Sequence, residues 1–384
     1  MPLPRTHEID VIRLFALLGI CIANISMMGT LSTDYGDLNP SSIVDQYTQF
    51  FISLFIESKF IFLFSMVLGW GIAIQEQRFK AANKNFSAYY FRRAFGLVFL
   101  GLLHTAFIFD GDILLTYGLA CLVFWSMRSY VLQTPLRQLT KRFICSNYAL
   151  WALVMGYGVL LVLMTETNGF FPEIDNEPLA YSFLEASLYR ITGGLSLTLF
   201  AGILFSVECL AAFSLGYIAY HKGFFDPQSE LFARLKKYYP VLLVMGLILG
   251  IPHAIATSEL LESTAWVFGI LLLFFSGPMI ALSYLYFVIQ LARRIQLPEL
   301  LVMAGRNSLS VYVLQGLIAS LIFNGYGFGL IGELSALMLL GISIGIYCVS
   351  VLMVGSYAKV FGQGVLEPVL RAISGTKSSA VSTH

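Results

Sequence analysis

Ten stretches of the 384-residue sequence are apolar enough to cross a bilayer, and this feature constrains the fold more than any other. A transmembrane helix needs about 20 mostly apolar residues. Only 12% of the chain is charged, against about 25% in soluble domains, so lipid must be the solvent for much of it. The sequence therefore predicts an all-α transmembrane bundle of about ten spans. These spans cover 10–29, 52–75, 92–109, 112–127, 143–164, 193–220, 239–256, 265–290, 300–323 and 334–355.

The lysines and arginines alternate along the chain with this pattern of spans. Nearly all of them lie in the two termini and in the connections 76–93, 126–142, 221–238 and 291–299. Acidic residues, but no Lys or Arg, occur in the other connections, 30–45, 110–112, 165–189, 256–264 and 324–333. Because basic loops are retained in the cytoplasm during insertion, the alternation predicts an even number of spans with both termini cytoplasmic.

No stretch reads as a soluble domain. We predict a single integral membrane domain over 1–384, with eight spans in 1–290, two in the C-terminal region 291–375 and a disordered tail at 376–384. The net charge of +1 gives no global field that favours nucleic acid. The five cysteines lie in or beside apolar runs and form no Cys-x-x-Cys pair, which predicts buried thiols and no metal site.

Three polar residues interrupt the first span. Asp10 and Arg13 are three positions apart, so they share a helix face and can pair. Arg13 and Asn24 are eleven positions apart, which places them on one face and about 16 Å apart along the helix. Two interpretations stay open: an interfacial ion pair with a helix–helix amide contact, or the wall of a functional site.

The third span repeats this arrangement. It begins with Arg92 and Arg93, and His104 follows eleven positions after Arg93. This spacing predicts that His104 lies at a depth similar to that of Asn24. The turn Asp110-Gly111-Asp112 follows, and a carboxylate this close can orient and charge the imidazole. The alternative for His104 is a buried histidine bonded to a backbone carbonyl. The alternative for the two aspartates is an ordinary turn between helices, and this interpretation is preferred for Asp110.

Other spans also contain polar groups. Lys59 either extends to the outer interface or faces an anionic or hydroxylated substrate. Glu208 lies in the middle of the sixth span, where it is protonated, paired or part of a proton path. Arg306 opens the ninth span, and Tyr312 and Gln315 follow at helical spacing, which favours a cavity wall over helix–helix contacts.

Short motifs in order along nearly the whole chain resemble the YeiB-like bacterial membrane proteins. They are Glu8–Arg13 with Ala16–Ile20 and Asn24, Lys59–Ser65, Gly101–His104, Gly111–Tyr117, Gly305–Gln315, and Leu366–Pro368 with Arg371. The last two resemble the C-terminal domain of unknown function of that family. The resemblance implies a relation to the membrane acyltransferases and a place in the bacterial inner membrane.

Two branches of those acyltransferases differ in the first helix. The O-acyltransferases of surface sugars carry an Arg, ten residues and a His, whereas this chain has Asn24 at that distance from Arg13, as in the heparan-α-glucosaminide N-acetyltransferase type. Leu14 also stands where the family commonly has Gly, which alters the packing of this helix. Since the first-helix His is absent, the resemblance implies that His104 takes the role of base.

The residues and the resemblance together predict acyl transfer from cytoplasmic acyl-CoA, such as acetyl-CoA, to a glycan or lipid-linked acceptor on the outer side. No cofactor or metal is expected to be bound. The predicted catalytic residues are His104, Asp112 and Asn24, and the predicted phosphate contacts are Arg13, Arg92, Arg93 and Arg306. The predicted substrate contacts are Asp10, Lys59, Glu208, Tyr312 and Gln315.

Two other functions fit the same polar residues. A proton-coupled transporter or flippase would use Glu208, the Asp10–Arg13 pair and His104 as a proton relay. The absence of a visible internal repeat counts against it. A non-catalytic membrane sensor or partner would use these residues only for structure.

Overall fold

The computed structural model describes residues 7–30, 42–165, 182–226, 228–258 and 266–375, and all regular elements in these ranges are helical. They are α1 (His7–Gly29), α2 (Ile43–Phe55), α3 (Lys59–Ala81), α4 (Phe86–Phe107), α5 (Ile113–Gln133), α6 (Leu136–Thr165), α7 (Phe183–Tyr189), α8 (Leu195–His221), α9 (Glu230–Ser258), α10 (Trp266–Ala292), α11 (Glu299–Arg306), α12 (Ser308–Phe323), α13 (Ala336–Phe361) and α14 (Leu366–Ser374). A π-helical turn, Arg190–Gly194, joins α7 to α8. The predicted all-α class is therefore confirmed.

Several of these helices are suited to a bilayer. Seven stretches in the described ranges are long and apolar enough to cross it, or eight if the bent pair α11–α12 is one span. The predicted spans 92–109 and 143–164 are helical, as α4 and α6, but they are not among these stretches. The tail 376–384 and the greater part of the connections 30–45, 165–189 and 256–264 lie outside the described residues.

The predicted ninth span, 300–323, is not one helix. Its two parts, α11 and α12, meet at an angle of 85°. Asn307 lies at this break with φ −109° and ψ 43°, outside helical geometry. Its side-chain amide donates to the carbonyl of Met303 at 2.7 Å, and its side-chain oxygen accepts from the N–H of Gly364 at 2.7 Å. The prediction of a continuous span was wrong because the chain turns at Asn307, and the two side-chain bonds of this residue stabilise the bend.

The predicted second span, 52–75, is also interrupted, at residues 56–58 between α2 and α3. Ser58 has φ 67°, a left-handed conformation that residues other than glycine rarely adopt. The ammonium group of Lys59 donates to the carbonyl of Ser53 at 2.6 Å and so satisfies a group at the end of α2. The break therefore places a set of polar side chains inside the bundle.

Helices α3 and α8 pack closely through two glycines. A Cβ atom at Gly69 would overlap the backbone carbonyl of Phe213, and one at Gly216 would overlap the carbonyl of Met66. Backbone groups cannot move aside as the tip of a side chain can, so the contact requires glycine on both helices.

Gly69→Ala is therefore expected to lower the free energy of unfolding by about 1–3 kcal/mol, the usual cost of overpacking. Gly71→Ala is the matched control, because no atom lies within 4 Å of a Cβ at that position. It should leave stability unchanged or raise it, since Ala is the better helix former. Thermal unfolding of the two purified variants in the same detergent checks this, and equal melting temperatures would contradict it.

The cysteines match the prediction of buried thiols only in part. Cys21, Cys121 and Cys209 are buried, whereas Cys145 and Cys348 are exposed. All five are free, so the chain holds no disulfide framework.

Candidate functional site

A histidine and an aspartate meet at the turn between α4 and α5. His104 lies in the last turn of α4 and Asp112 caps the start of α5, where its Oδ2 accepts from the N–H of Leu115 at 2.8 Å. Both side chains are almost fully buried, and His104 Nδ1 lies 3.1 Å from Asp112 Oδ1. This contact has the distance of an ion pair but not the alignment of a hydrogen bond.

Helix α12 adds a third member to this pair. The hydroxyl of Tyr312 donates to Asp112 Oδ1 at 2.9 Å, and the N–H of Ile113 donates to that hydroxyl at 3.4 Å. The Tyr312 ring stacks on the imidazole of His104, with centroids 5.1 Å apart. Tyr312 was predicted to bind substrate, and the structure places it as a partner of both site residues.

The second nitrogen of the imidazole, Nε2, faces helix α12. Among the described residues, no hydrogen bond reaches His104 Nε2. Gly316, one helical turn after Tyr312, faces this nitrogen: a Cβ atom added at Gly316 would lie 2.7 Å from Nε2. Asp112 favours the tautomer that carries its proton on Nδ1. Nε2 is therefore the atom available to accept a proton.

The two amides of the predicted site differ in their surroundings. Asn24 is half-buried on α1, and no hydrogen bond joins it to His104 in the part of the chain that the structure describes. Gln315 is buried next to Gly316, and neither its oxygen nor its nitrogen has a hydrogen-bond partner in the described ranges. The predicted shared level of Asn24 and His104 is thus not accompanied by a direct contact, whereas Gln315 offers an unpaired amide.

Asp10 connects two of the predicted phosphate-binding arginines. Its Oδ1 lies 3.4 Å from Nη1 of Arg13, which confirms the predicted pairing along α1. Its Oδ2 lies 3.3 Å from Nε of Arg306, at the end of α11. Asp10 is buried, while the two arginine side chains are 23% and 36% exposed. One buried carboxylate thus joins two guanidinium groups that are both partly exposed to solvent.

Of the other two arginines, Arg92 lies beside α14. Arg92 is exposed, and its guanidinium borders the last residue of the helix cap, Gly375, while Arg93 is half-buried. Glu367 of α14 accepts from the N–H of Ser310 at 3.1 Å. Helix α14 therefore lies against both α4 and the start of α12.

An apolar groove of about 330 Å³ lies between α1, α11 and α13. Leu14, Leu301 and Val351 are among its lining residues, so it adjoins the Asp10 cluster on α1. Neither Asn24 nor His104 lines this groove. The groove is therefore separate from these two predicted catalytic residues.

A second buried polar cluster surrounds the break between α2 and α3. Lys59 is fully buried, so the alternative in which it extends to the interface was wrong. Glu208 accepts from the hydroxyl of Ser58 at 2.9 Å through Oε1, and Glu57 Oε2 lies 2.9 Å from Nε2 of His253. The break turns this part of the chain inward, and the cation then lies among carboxylates.

The sequence reasoning overlooked a buried arginine. Arg190 is only 2% exposed, and its Nη2 donates to the side-chain oxygen of Asn324 at 2.9 Å. Burial raises the pKa of the nearby Asp110 carboxyl above its ordinary value, and the charge of Arg190 acts in the opposite direction. The signal was a lone arginine at the start of an apolar run, next to a connection otherwise without Lys or Arg.

Comparison with known proteins agrees with the resemblance. Residues 219–377 match the family model described as protein of unknown function DUF418. The chain is 25% identical to the uncharacterized protein YeiB of Escherichia coli, with 96% of each chain covered. It is 22% identical to the uncharacterized protein YxaH of Bacillus subtilis, over 96% of this chain and 94% of the relative. No solved structure matches. These similarities support a YeiB-like family.

Proposed function

We propose that this protein is a membrane acyltransferase of the bacterial inner membrane. It moves an acyl group from cytoplasmic acyl-CoA to a hydroxyl or amine of a glycan or lipid-linked acceptor on the outer side. The proposed topology has about ten spans and two cytoplasmic termini, as the charge alternation predicts. The observation that carries the proposal is the buried His104, which Asp112 contacts at Nδ1 and whose Nε2 has no partner in the described ranges.

The chemistry follows from this arrangement. Nε2 of His104 removes the proton from the acceptor hydroxyl or amine as its oxygen or nitrogen forms a bond to the thioester carbonyl carbon. The tetrahedral intermediate then breaks its carbon–sulfur bond, and the departing CoA sulfur takes the proton from Nε2. Asp112, held by Tyr312, stabilises the imidazolium that exists between the two steps.

The developing oxyanion and the donor need further contacts. Asn24, a predicted catalytic residue, is one proposed donor to the oxyanion. Gln315 is the other, because its buried amide has no hydrogen-bond partner among the described residues. Arg13, Arg306, Arg92 and Arg93 meet the CoA phosphates, since guanidinium groups suit phosphate oxygens. The apolar groove beside Arg13 suits the acyl chain or the pantetheine arm.

Two measurements test the function. Lipids and glycans of a deletion strain should lack one acyl group that the wild-type strain carries, and mass spectrometry detects this. Acetyl-CoA should raise the melting temperature of the purified protein more than dephospho-CoA does, because the latter lacks a phosphate for the arginines. Identical mass profiles together with no stabilisation by acetyl-CoA would refute the proposal.

A second candidate function is proton-coupled transport of a small or lipid-linked molecule. It is favoured by the buried side chains of Lys59, Glu208 and His253, with the half-buried Glu57 beside them, because ionisable groups inside a bundle often mark a proton path. Uptake into proteoliposomes that depends on a proton gradient and is lost in Glu208→Gln would support transport over acyl transfer.

A further inference from the structure

Arg190 is a buried cation in an irregular part of the backbone. It begins the π-helical turn between α7 and α8 and is among the largest fully buried side chains. π-Helical turns are rare and occur frequently at functional sites. A guanidinium group cannot lose its charge in a protein, so burial of Arg190 requires compensation.

The compensation that the protein supplies is incomplete. Only Nη2 has a hydrogen-bond partner, Asn324, while Nε and Nη1 have none among the described residues. Asn324 is itself fixed, because its amide nitrogen donates to the Ser320 carbonyl at 2.8 Å and contacts the Tyr326 hydroxyl at 3.2 Å. The guanidinium is therefore held in place, while two of its nitrogens have no hydrogen-bond partner among the described residues.

Asp110, a carboxylate that interacts with Arg190, does not bind these two nitrogens. Asp110 interacts electrostatically with Arg190, and it borders Gly194 of the same turn, where a Cβ would lie 2.8 Å from Cβ of Asp110. Within the ranges described, however, no ion pair at 4 Å or less joins Asp110 to Arg190. Asp110 moderates the positive charge and leaves the donors unoccupied.

This arginine shares two elements with the His104 site. Asp110 precedes Asp112 in the turn after α4, and Asn324 ends the helix that carries Tyr312 and Gly316. Gly316 and Asn324 are eight residues apart, which is about 12 Å along α12. In the proposed topology, Arg190 therefore lies outward of His104, at the level where an outer substrate would enter.

We infer that Arg190 binds a phosphate group of the acceptor, through Nε and Nη1, while the acceptor's nucleophile lies near His104. The identification of the ligand as the acceptor rests on the proposed function, whereas binding of a phosphate group rests on the contacts of Arg190. Phosphate fits because charge-assisted hydrogen bonds between Arg and phosphate oxygens are strong, and in the proposed topology this end of α12 lies near the headgroup level of the bilayer. The phosphate belongs either to a lipid or to a soluble glycan precursor, and the test separates these sources.

Binding to the purified full-length protein tests this inference. The probes are dihexanoylphosphatidylglycerol, glycerophosphoglycerol, which has the same phosphate without chains, and dihexanoylglycerol, which has chains without phosphate. Wild-type protein should bind at least one phosphate probe and bind dihexanoylglycerol more weakly. Tighter binding of the dihexanoyl lipid than of glycerophosphoglycerol identifies a lipid-linked acceptor, and equal binding identifies a soluble one.

Variants then assign the binding to Arg190. Arg190→Gln should raise the Kd of the phosphate probe about tenfold or more, and Arg190→Lys should raise it less because the charge remains. Arg234→Gln is the control, since Arg234 is 62% exposed and pairs with Glu230. If Arg190→Gln does not fold, Asn324→Ala gives the same test, with a severalfold rise expected because the guanidinium loses its anchor. No phosphate binding by wild type, or an unchanged Kd in the variants that fold, overturns the inference.

His104→Ala separates the two proposals. It should bind the phosphate probe with the wild-type Kd, because His104 lies apart from Arg190. Probe binding that depends on Arg190, without any CoA-dependent transfer, would refute the enzyme and keep the phosphate site. CoA-dependent transfer without Arg190-dependent probe binding would support the enzyme and refute the phosphate site.

Discussion

Replacement of His104 by alanine is expected to lower the rate of CoA-dependent acyl transfer by about 10²–10⁴-fold, the usual contribution of a general base. The reason is geometric: His104 Nδ1 lies 3.1 Å from Asp112, and Nε2 is the atom without a protein partner in the described structure. The measurement is transfer of labelled acetyl groups from acetyl-CoA in membranes that contain equal amounts of each variant.

The control for this prediction is His221→Ala, because His221 is exposed at the end of α8 and far along the chain from the site. It should retain wild-type activity. The melting temperature of His104→Ala is measured in parallel, so that loss of folding is not mistaken for loss of chemistry. A His104→Ala protein with full activity would remove the residue from the mechanism.

Gly316→Ala tests the same atom without removing the imidazole. The added Cβ would lie 2.7 Å from Nε2 and displace the ring or block its access to substrate. Misplacement of a catalytic group by about 1 Å can cost about 10²-fold in rate. Gly341→Ala, where a Cβ meets no atom within 4 Å, should keep its activity. Equal activity of the two glycine variants would mean that Nε2 does not face the substrate.

The features that the sequence predicted correctly depend on residues near one another in the chain. Asp10 and Arg13 pair because they lie three positions apart on one helix. His104 and Asp112 meet because a short turn brings the end of α4 beside the start of α5. In both cases helix geometry alone limits where the side chains lie, so no knowledge of the packing was needed.

The features that could not be predicted from the sequence depend on contacts between helices that are distant along the chain. Arg306 reaches Asp10 across 296 positions, and Asn324 holds Arg190 across 134. Helical periodicity states which residues share a face, but not which helix that face meets. The 85° break at Asn307 was missed for the same reason, since its partner Gly364 lies in a later connection.

Lys59→Met is expected to lower the free energy of unfolding by about 3–5 kcal/mol, the usual cost of leaving a buried charge without its compensating charge. Lys59 is fully buried and interacts electrostatically with Glu57 and Glu208. Without the ammonium group, the carboxylates remain buried with less compensation, and the Ser53 carbonyl loses its donor. Thermal unfolding of the purified variant in detergent measures the loss.

The double variant Lys59→Met/Glu208→Gln identifies the cause. The neutral amide at position 208 needs no cation, so the double variant should be more stable than Lys59→Met alone. Comparing this difference with the effect of Glu208→Gln in the otherwise wild-type protein measures the coupling between the two charges. Lys359→Met is the matched control: its side chain is 56% exposed and pairs with Glu299 at 3.1 Å, so the expected loss is at most about 1 kcal/mol. If both lysine variants lose the same stability, the buried cluster is not held by charge. If the double variant is no more stable than the single one, the cost of Lys59→Met comes from lost packing and the lost Ser53 bond, and Glu208 is compensated by other groups such as Ser58.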